Sequence, residues 1–161
     1  DLGWGQRLRE VFRAGEDGAP VDSEVTADLG RASISVLAQW DWQRRPTAVV
    51  AMPPVPRPRM VASLPRGIAS AGHLPYWGAL NLNPDIPRGS HGGNSAYRLA
   101  EVWDRFVVPP QLAEQLGSAP QASILLVDDL VDSRWSLTVA ARELRRAGAE
   151  AVLPFVLASQ G

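Results

Sequence analysis

Residues 123 to 135 read "SILLVDDLVDSRW": an apolar run that ends in adjacent carboxylates, Asp128 and Asp129, followed by Asp132, Ser133, Arg134 and Trp135. Carboxylates at the end of a buried strand carry a heavy desolvation cost, which makes sense if a ligand uses them. A helix starting near Ser136 would present unpaired backbone N–H groups and the positive end of its dipole, so the loop from Asp132 to Ser136 is shaped to hold an anion. The acid pair would repel that anion. It suits hydroxyl donors such as a ribose diol, or a magnesium ion lying beside a phosphate. The same acids could instead cap backbone amides, and Asp132 or Ser133 could simply start the next helix.

The surrounding pattern predicts strands alternating with helices. The run from Thr47 to Met52 is short, apolar and bounded by prolines, as an interior strand is. Ser123 to Val127 forms a second such strand, expected to end where the acidic loop begins, and "AVLPFVLA" a last one that Pro154 pushes toward a sheet edge. Residues 76 to 82 and 103 to 108 are further strand candidates. Residues 4 to 13 suit a short helix. Asp22 or Ser23 offers an N-cap to a longer one, whose Val25, Leu29, Ala32, Val36, Leu37 and Trp40 would make one apolar stripe. From Arg57, a helix with Pro58 in its first turn, a kink or break at Pro65 and a stop at Gly72 is expected. The proline pair at 109 and 110 starts another, and a last helix runs from about Leu137 to Ala147 until Gly148. The segment at 83–95 is dense in proline, glycine and polar residues and reads as a long exposed loop. Apolar strands alternating with amphipathic helices predict an α/β domain: a mostly parallel sheet flanked by helices.

Composition sets the outer bounds. The chain has 161 residues, 45% of them hydrophobic and 20% charged, and its mean hydropathy is -0.09; one folded domain over 1–161 is expected, with 1–21 as a helical extension or a linker from a preceding domain. No apolar run approaches a membrane span and no signal peptide opens the sequence, so a cytoplasmic address without membrane partners is expected. With no cysteine and only two isolated histidines, His73 and His91, thiolate zinc sites are excluded and no histidine cluster offers a metal site. All 16 basic residues are arginine and the net charge is -1, a balance that does not indicate a wholesale electrostatic grip on nucleic acid. The six tryptophans read mainly as packing residues, and Arg142, Arg145 and Arg146 as the solvated face of the last helix.

The stretch "ILLVDDLVDSRWS" resembles the phosphoribosyl-pyrophosphate (PRPP) loop of type I phosphoribosyltransferases: a hydrophobic strand, two acids, two apolar residues, a variable residue, Thr or Ser, Gly, any residue, and Thr or Ser. The resemblance implies a Rossmann-like fold, with Asp128 and Asp129 on the ribose hydroxyls and Asp132, Ser133, Arg134, Trp135 and Ser136 around the 5′-phosphate. It implies Asp132 as the proton acceptor for a base. No cofactor would be bound tightly; magnesium would arrive with PRPP. The family's glycine is Arg134 here, which either grips a phosphate itself or occludes the cradle. Upstream, "VVAMPPVPRPRMVASLPRGIA" resembles the segment near the pyrophosphate in the competence-associated branch, which nominates Arg57 and Arg59, while Asn94 and Phe106 match a later segment of that branch.

The whole chain is most similar to the carboxyl-terminal phosphoribosyltransferase-like domain of RecQ-like DNA helicases of actinobacteria. That resemblance implies an accessory domain with helicase domains preceding it, a phosphorylated sugar or nucleotide as ligand, DNA reached through the parent helicase, and nucleoid association. Efficient transferase turnover is not expected because Arg134 crowds the cradle. A working PRPP-dependent enzyme and a docking domain with a vestigial pocket are the alternatives. The helicase motor itself is absent from these residues, which contain no G-x-x-x-x-G-K-[ST] motif and no lysine.

Overall fold

The computed structural model describes residues 2–86, 102–131 and 134–159. Asp132, Ser133, His91, Asn94 and most of the expected loop at 83–95 lie outside the described residues.

Four strands form a parallel sheet: β1 (Ala48–Ala51), β2 (Tyr76–Ala79), β5 (Ser123–Val131) and β6 (Ala151–Ser159), in the order β2-β1-β5-β6. A separate antiparallel pair joins β3 (Asn81–Leu82) to β4 (Phe106–Val107). The helices among the described residues are α1 (Leu2–Val11), α2 (Ala27–Gln39), α3 (Pro58–Ala71), α4 (Pro110–Ser118) and α5 (Arg134–Arg146). Because successive side chains on a strand point to opposite faces, the sheet divides two cores. Val49, Leu125 and Val127 pack on Leu64, Ile68 and Ala69 of α3, with Leu37 of α2 alongside. Val50, Ile124 and Leu126 pack on Leu112 and Leu116 of α4 and on Val139 and Leu144 of α5. Fully burying one such side chain stabilises by roughly 1.5–3 kcal/mol, so these strands belong inside, covered on both faces.

Local rules account for several boundaries. Pro58 opens α3 and Gly72 closes it. Gly148, at φ 123°, ends the turn after α5 in a conformation that side chains disfavour, and an added Cβ would lie 3.3 Å from the Leu116 carbonyl. β6 is an edge strand of the sheet, which is where Pro154 is tolerated.

Other boundaries differ from the sequence expectation. Neither Asp22 nor Ser23 caps α2. Thr26 does, its hydroxyl accepting from the Leu29 amide at 3.4 Å, because the Asp22 carboxylate is taken by α3. The apolar stripe of α2 is also rotated: Ser33 is buried, its hydroxyl donating to the Leu29 carbonyl at 2.8 Å, while Val36 is exposed and Trp40 is 59% exposed. A hydroxyl that bonds its own helix can enter the core without an orphaned donor. Residues 76 to 82 form two strands: Gly78 at φ 93° bulges β2 against β1, and beyond Leu80 the chain leaves the parallel sheet so that β3 pairs with β4. The strand expected at 103–108 shrinks to β4; Trp103 lies outside it, with the Arg142 guanidinium 4.2 Å above its ring. Pro65 does not divide α3, which runs continuously through it.

Candidate functional site

β5 and α5 meet where the sequence placed the chemistry, but the strand extends further than expected. It was expected to stop at Val127. Instead its ladder with β6 continues through Asp128 opposite Val156, Leu130 opposite Ala158 and Val131 opposite Ser159. Both acids are therefore strand residues, and a strand sends neighbours to opposite faces. Asp129 shares the face of Leu125 and Val127, toward α3. Asp128 shares the face of Leu126, toward α5.

The two carboxylates have different surroundings. Asp129 is 3% exposed and Arg57 5%. Arg57 Nη1 donates to Asp129 Oδ2 at 3.3 Å, and the Leu130 amide donates to Asp129 Oδ1 at 2.8 Å. The other side of the guanidinium is covered by Phe12, just after α1, with the ring centre 4.9 Å from Cζ. Arg57 Nε is buried with no partner among the described residues. Asp128 is half-buried and accepts from the Asp129 amide at 2.9 Å. Burial, and secondarily the negative charge of Asp129, push its carboxyl up to about 7; the bond from the Asp129 amide and the charge of Arg57 pull the other way. One acid is thus a buried carboxylate with an arginine partner, and the other is readily protonated near neutrality.

The other nominated residues are dispersed. Arg134, Trp135 and Ser136 form the first turn of α5 instead of a loop ahead of it, because the helix begins at Arg134 and not near Ser136. Arg134 is exposed and helical, so its backbone does not need a glycine's freedom; its carbonyl accepts from the Thr138 hydroxyl at 3.0 Å. Trp135 packs against the core under α5. Arg59 is exposed and faces Glu24 at 3.9 Å. Of the two upstream arginines, the structure brings only Arg57 to the acid pair. Phe12 was missed by the sequence reading: 45 residues separate it from Arg57, and no local pattern links them. The cavity of about 490 Å³ between α1 and α2, lined by residues including Trp4, Arg7, Val11 and Leu29, contains neither acid. Among the described residues, no group of three or more His, Cys, Asp or Glu could hold a metal ion.

No family model and no curated protein matches this sequence. Solved structures do. Adenine phosphoribosyltransferase from Saccharomyces cerevisiae, complexed with an imino-altritol bisphosphate and adenine, matches with a TM-score of 0.57 at 11% identity, over 99% of this chain and 90% of that one. The adenine phosphoribosyltransferase of Rhodothermus marinus matches with a TM-score of 0.55 at 13% identity, over 99% and 100%. Glutamine PRPP amidotransferase from B. subtilis matches at 22% identity with a TM-score of 0.48, over 80% of this chain, which spans only 26% of that enzyme's length. The parallel sheet β2-β1-β5-β6 with helices on both faces has the fold of the type I phosphoribosyltransferases.

Proposed function

We propose that this chain is a phosphoribosyltransferase-like accessory domain of a RecQ-type DNA helicase, and that it binds a ribose-phosphate ligand where β5 meets α5 without efficient transferase turnover. The ligand is PRPP, a nucleotide or a terminal phosphate of DNA. The observation that carries the binding role is the position of Asp128 and Asp129 at the end of β5, a few residues before the first turn of α5, on a type I phosphoribosyltransferase fold. The helix N-terminus suits the phosphate, and Asp128 is the acid left to meet the sugar hydroxyls. Asp132 and Ser133 complete the phosphate loop in this reading, and Asp132 would be the proton acceptor if a base were bound.

Weak turnover follows from the same features. Asp129 is committed to Arg57, and Arg134 stands where the family pattern has glycine. The helicase context rests on the resemblance of the whole chain, and a cytoplasmic, nucleoid-associated address follows from it. No described helix is long and apolar enough to cross a membrane.

Titration calorimetry with PRPP, AMP and 5′-phosphorylated single-stranded DNA tests the binding role. Saturable heat that is lost in Asp128→Asn supports it; a folded chain giving no heat with any of the three sinks it in favour of a docking domain. Product from PRPP and any nucleobase would replace it with a working transferase. Helicase motifs encoded ahead of Asp1 in the natural gene would support the proposed parent protein.

A further inference from the structure

The buried ion pair determines which charges the site can accept. Arg57 reaches Asp129 across 72 residues of sequence from the turn ahead of α3. Both oxygens of Asp129 are engaged, one by Arg57 and the other by the Leu130 amide. One oxygen of Asp128 is engaged by the Asp129 amide. A hard divalent cation takes several oxygen ligands and favours carboxylates. To use Asp129 it would have to displace a guanidinium that is itself buried, held from the other side by Phe12 and in no second ion pair among the described residues. Leaving a buried charge unpaired is strongly unfavourable. The described residues therefore do not fit a magnesium ion at the acid pair.

We infer that Arg57, held in place by Phe12, is the built-in counter-ion of the acid pair, and that the site takes its ribose phosphate without a divalent cation. The favoured ligand class is a phosphate monoester of ribose, such as ribose 5-phosphate or a nucleoside 5′-monophosphate, over a magnesium-chelating diphosphate. The unpartnered Arg57 Nε is consistent with this, since a ligand oxygen could satisfy that buried donor. The preference for a monoester rests on the ribose-phosphate reading; the exclusion of metal rests on the ion pair alone.

Two measurements keep these apart. In the first, manganese, a paramagnetic substitute for magnesium, is titrated to ~1 mM into the ¹⁵N-labelled chain. The amides of Asp128, Asp129 and Leu130 should keep their intensity in the wild type and in Arg57→Lys, and lose it in Arg57→Gln. Should Arg57→Gln fail to fold, Phe12→Ala, which loosens the guanidinium without removing it, carries the same comparison. Broadening of the wild-type amides, or an unchanged spectrum in the folded Arg57→Gln or Phe12→Ala chain, would overturn the inference. In the second, ribose 5-phosphate is titrated calorimetrically in EDTA and in magnesium. Its Kd should agree within about twofold, and a loss of about tenfold or more in EDTA would overturn the inference. If ribose 5-phosphate binds in neither buffer while the manganese results hold, the counter-ion role stands and the ribose-phosphate reading fails.

Discussion

Asp22 caps a helix that begins 36 residues further along the chain: its carboxylate accepts from the Arg59 amide at 3.0 and 3.1 Å and from the Met60 amide at 3.2 Å. Arg57, the residue that precedes α3, supplies no side-chain cap of its own. A segment remote in sequence therefore anchors the turn from which Arg57 reaches Asp129. Asp22→Ala should destabilise the fold by about 1 kcal/mol, and Asp22→Asn by less. Urea unfolding measures both. An alanine variant as stable as the wild type would show that this cap does not contribute.

Asp128 should make stability depend on pH. Its carboxyl rises from the ordinary 3.8 to about 7 in the folded chain, so between those values the folded state binds more protons than the unfolded state. That contribution is fully present below the unfolded value and is lost as pH rises toward about 7. The wild type should therefore lose urea stability relative to Asp128→Asn from pH 4 to 7 and run parallel to it above pH 8. A constant difference across the whole range would contradict the assignment.

The rotated stripe of α2 predicts a contrast with α5. Leu144 is fully buried between α5 and the sheet, whereas Val36 is largely exposed. Leu144→Ala should cost about 2–5 kcal/mol, and Val36→Ala should stay within about 0.5 kcal/mol. Denaturant midpoints at constant m-value compare the two; equal losses would mean that α2 buries the other face in solution.

Arg134 is the local test of why turnover would be weak. If its side chain crowds the phosphate, Arg134→Gly should bind PRPP more tightly by about 1 kcal/mol, roughly fivefold, at a stability cost of no more than about 1 kcal/mol for glycine in a helix. Calorimetry on both chains decides this. Weaker binding by the glycine variant would instead make Arg134 a phosphate ligand.

Much of the frame was legible without coordinates because it depends on neighbours in sequence. Pro58 suits only the first turn of α3, Gly148 only a turn that side chains avoid, and apolar runs such as Ser123 to Val127 only a strand covered on both faces. The junction of acids and helix at 128–136 follows from the same local rules. The strand's true end does not. Asp128 and Asp129 look like loop residues by type, and they remain in β5 because β6 offers ladder partners as far as Ser159.

The sequence by itself determined the alternation of strands and helices, the parallel sheet and the place where two acids precede a helix, since each follows from periodicity, proline and glycine within a few residues. Only the tertiary structure decided that the acids point to opposite faces, that Asp129 is paired with Arg57 beneath Phe12, and that Asp22 serves α3 and not α2. The physical reason is that a buried charge or an unpaired helix amide takes whatever partner the folded chain brings within about 3 Å, and the pairs that matter here lie 37 to 72 residues apart in sequence.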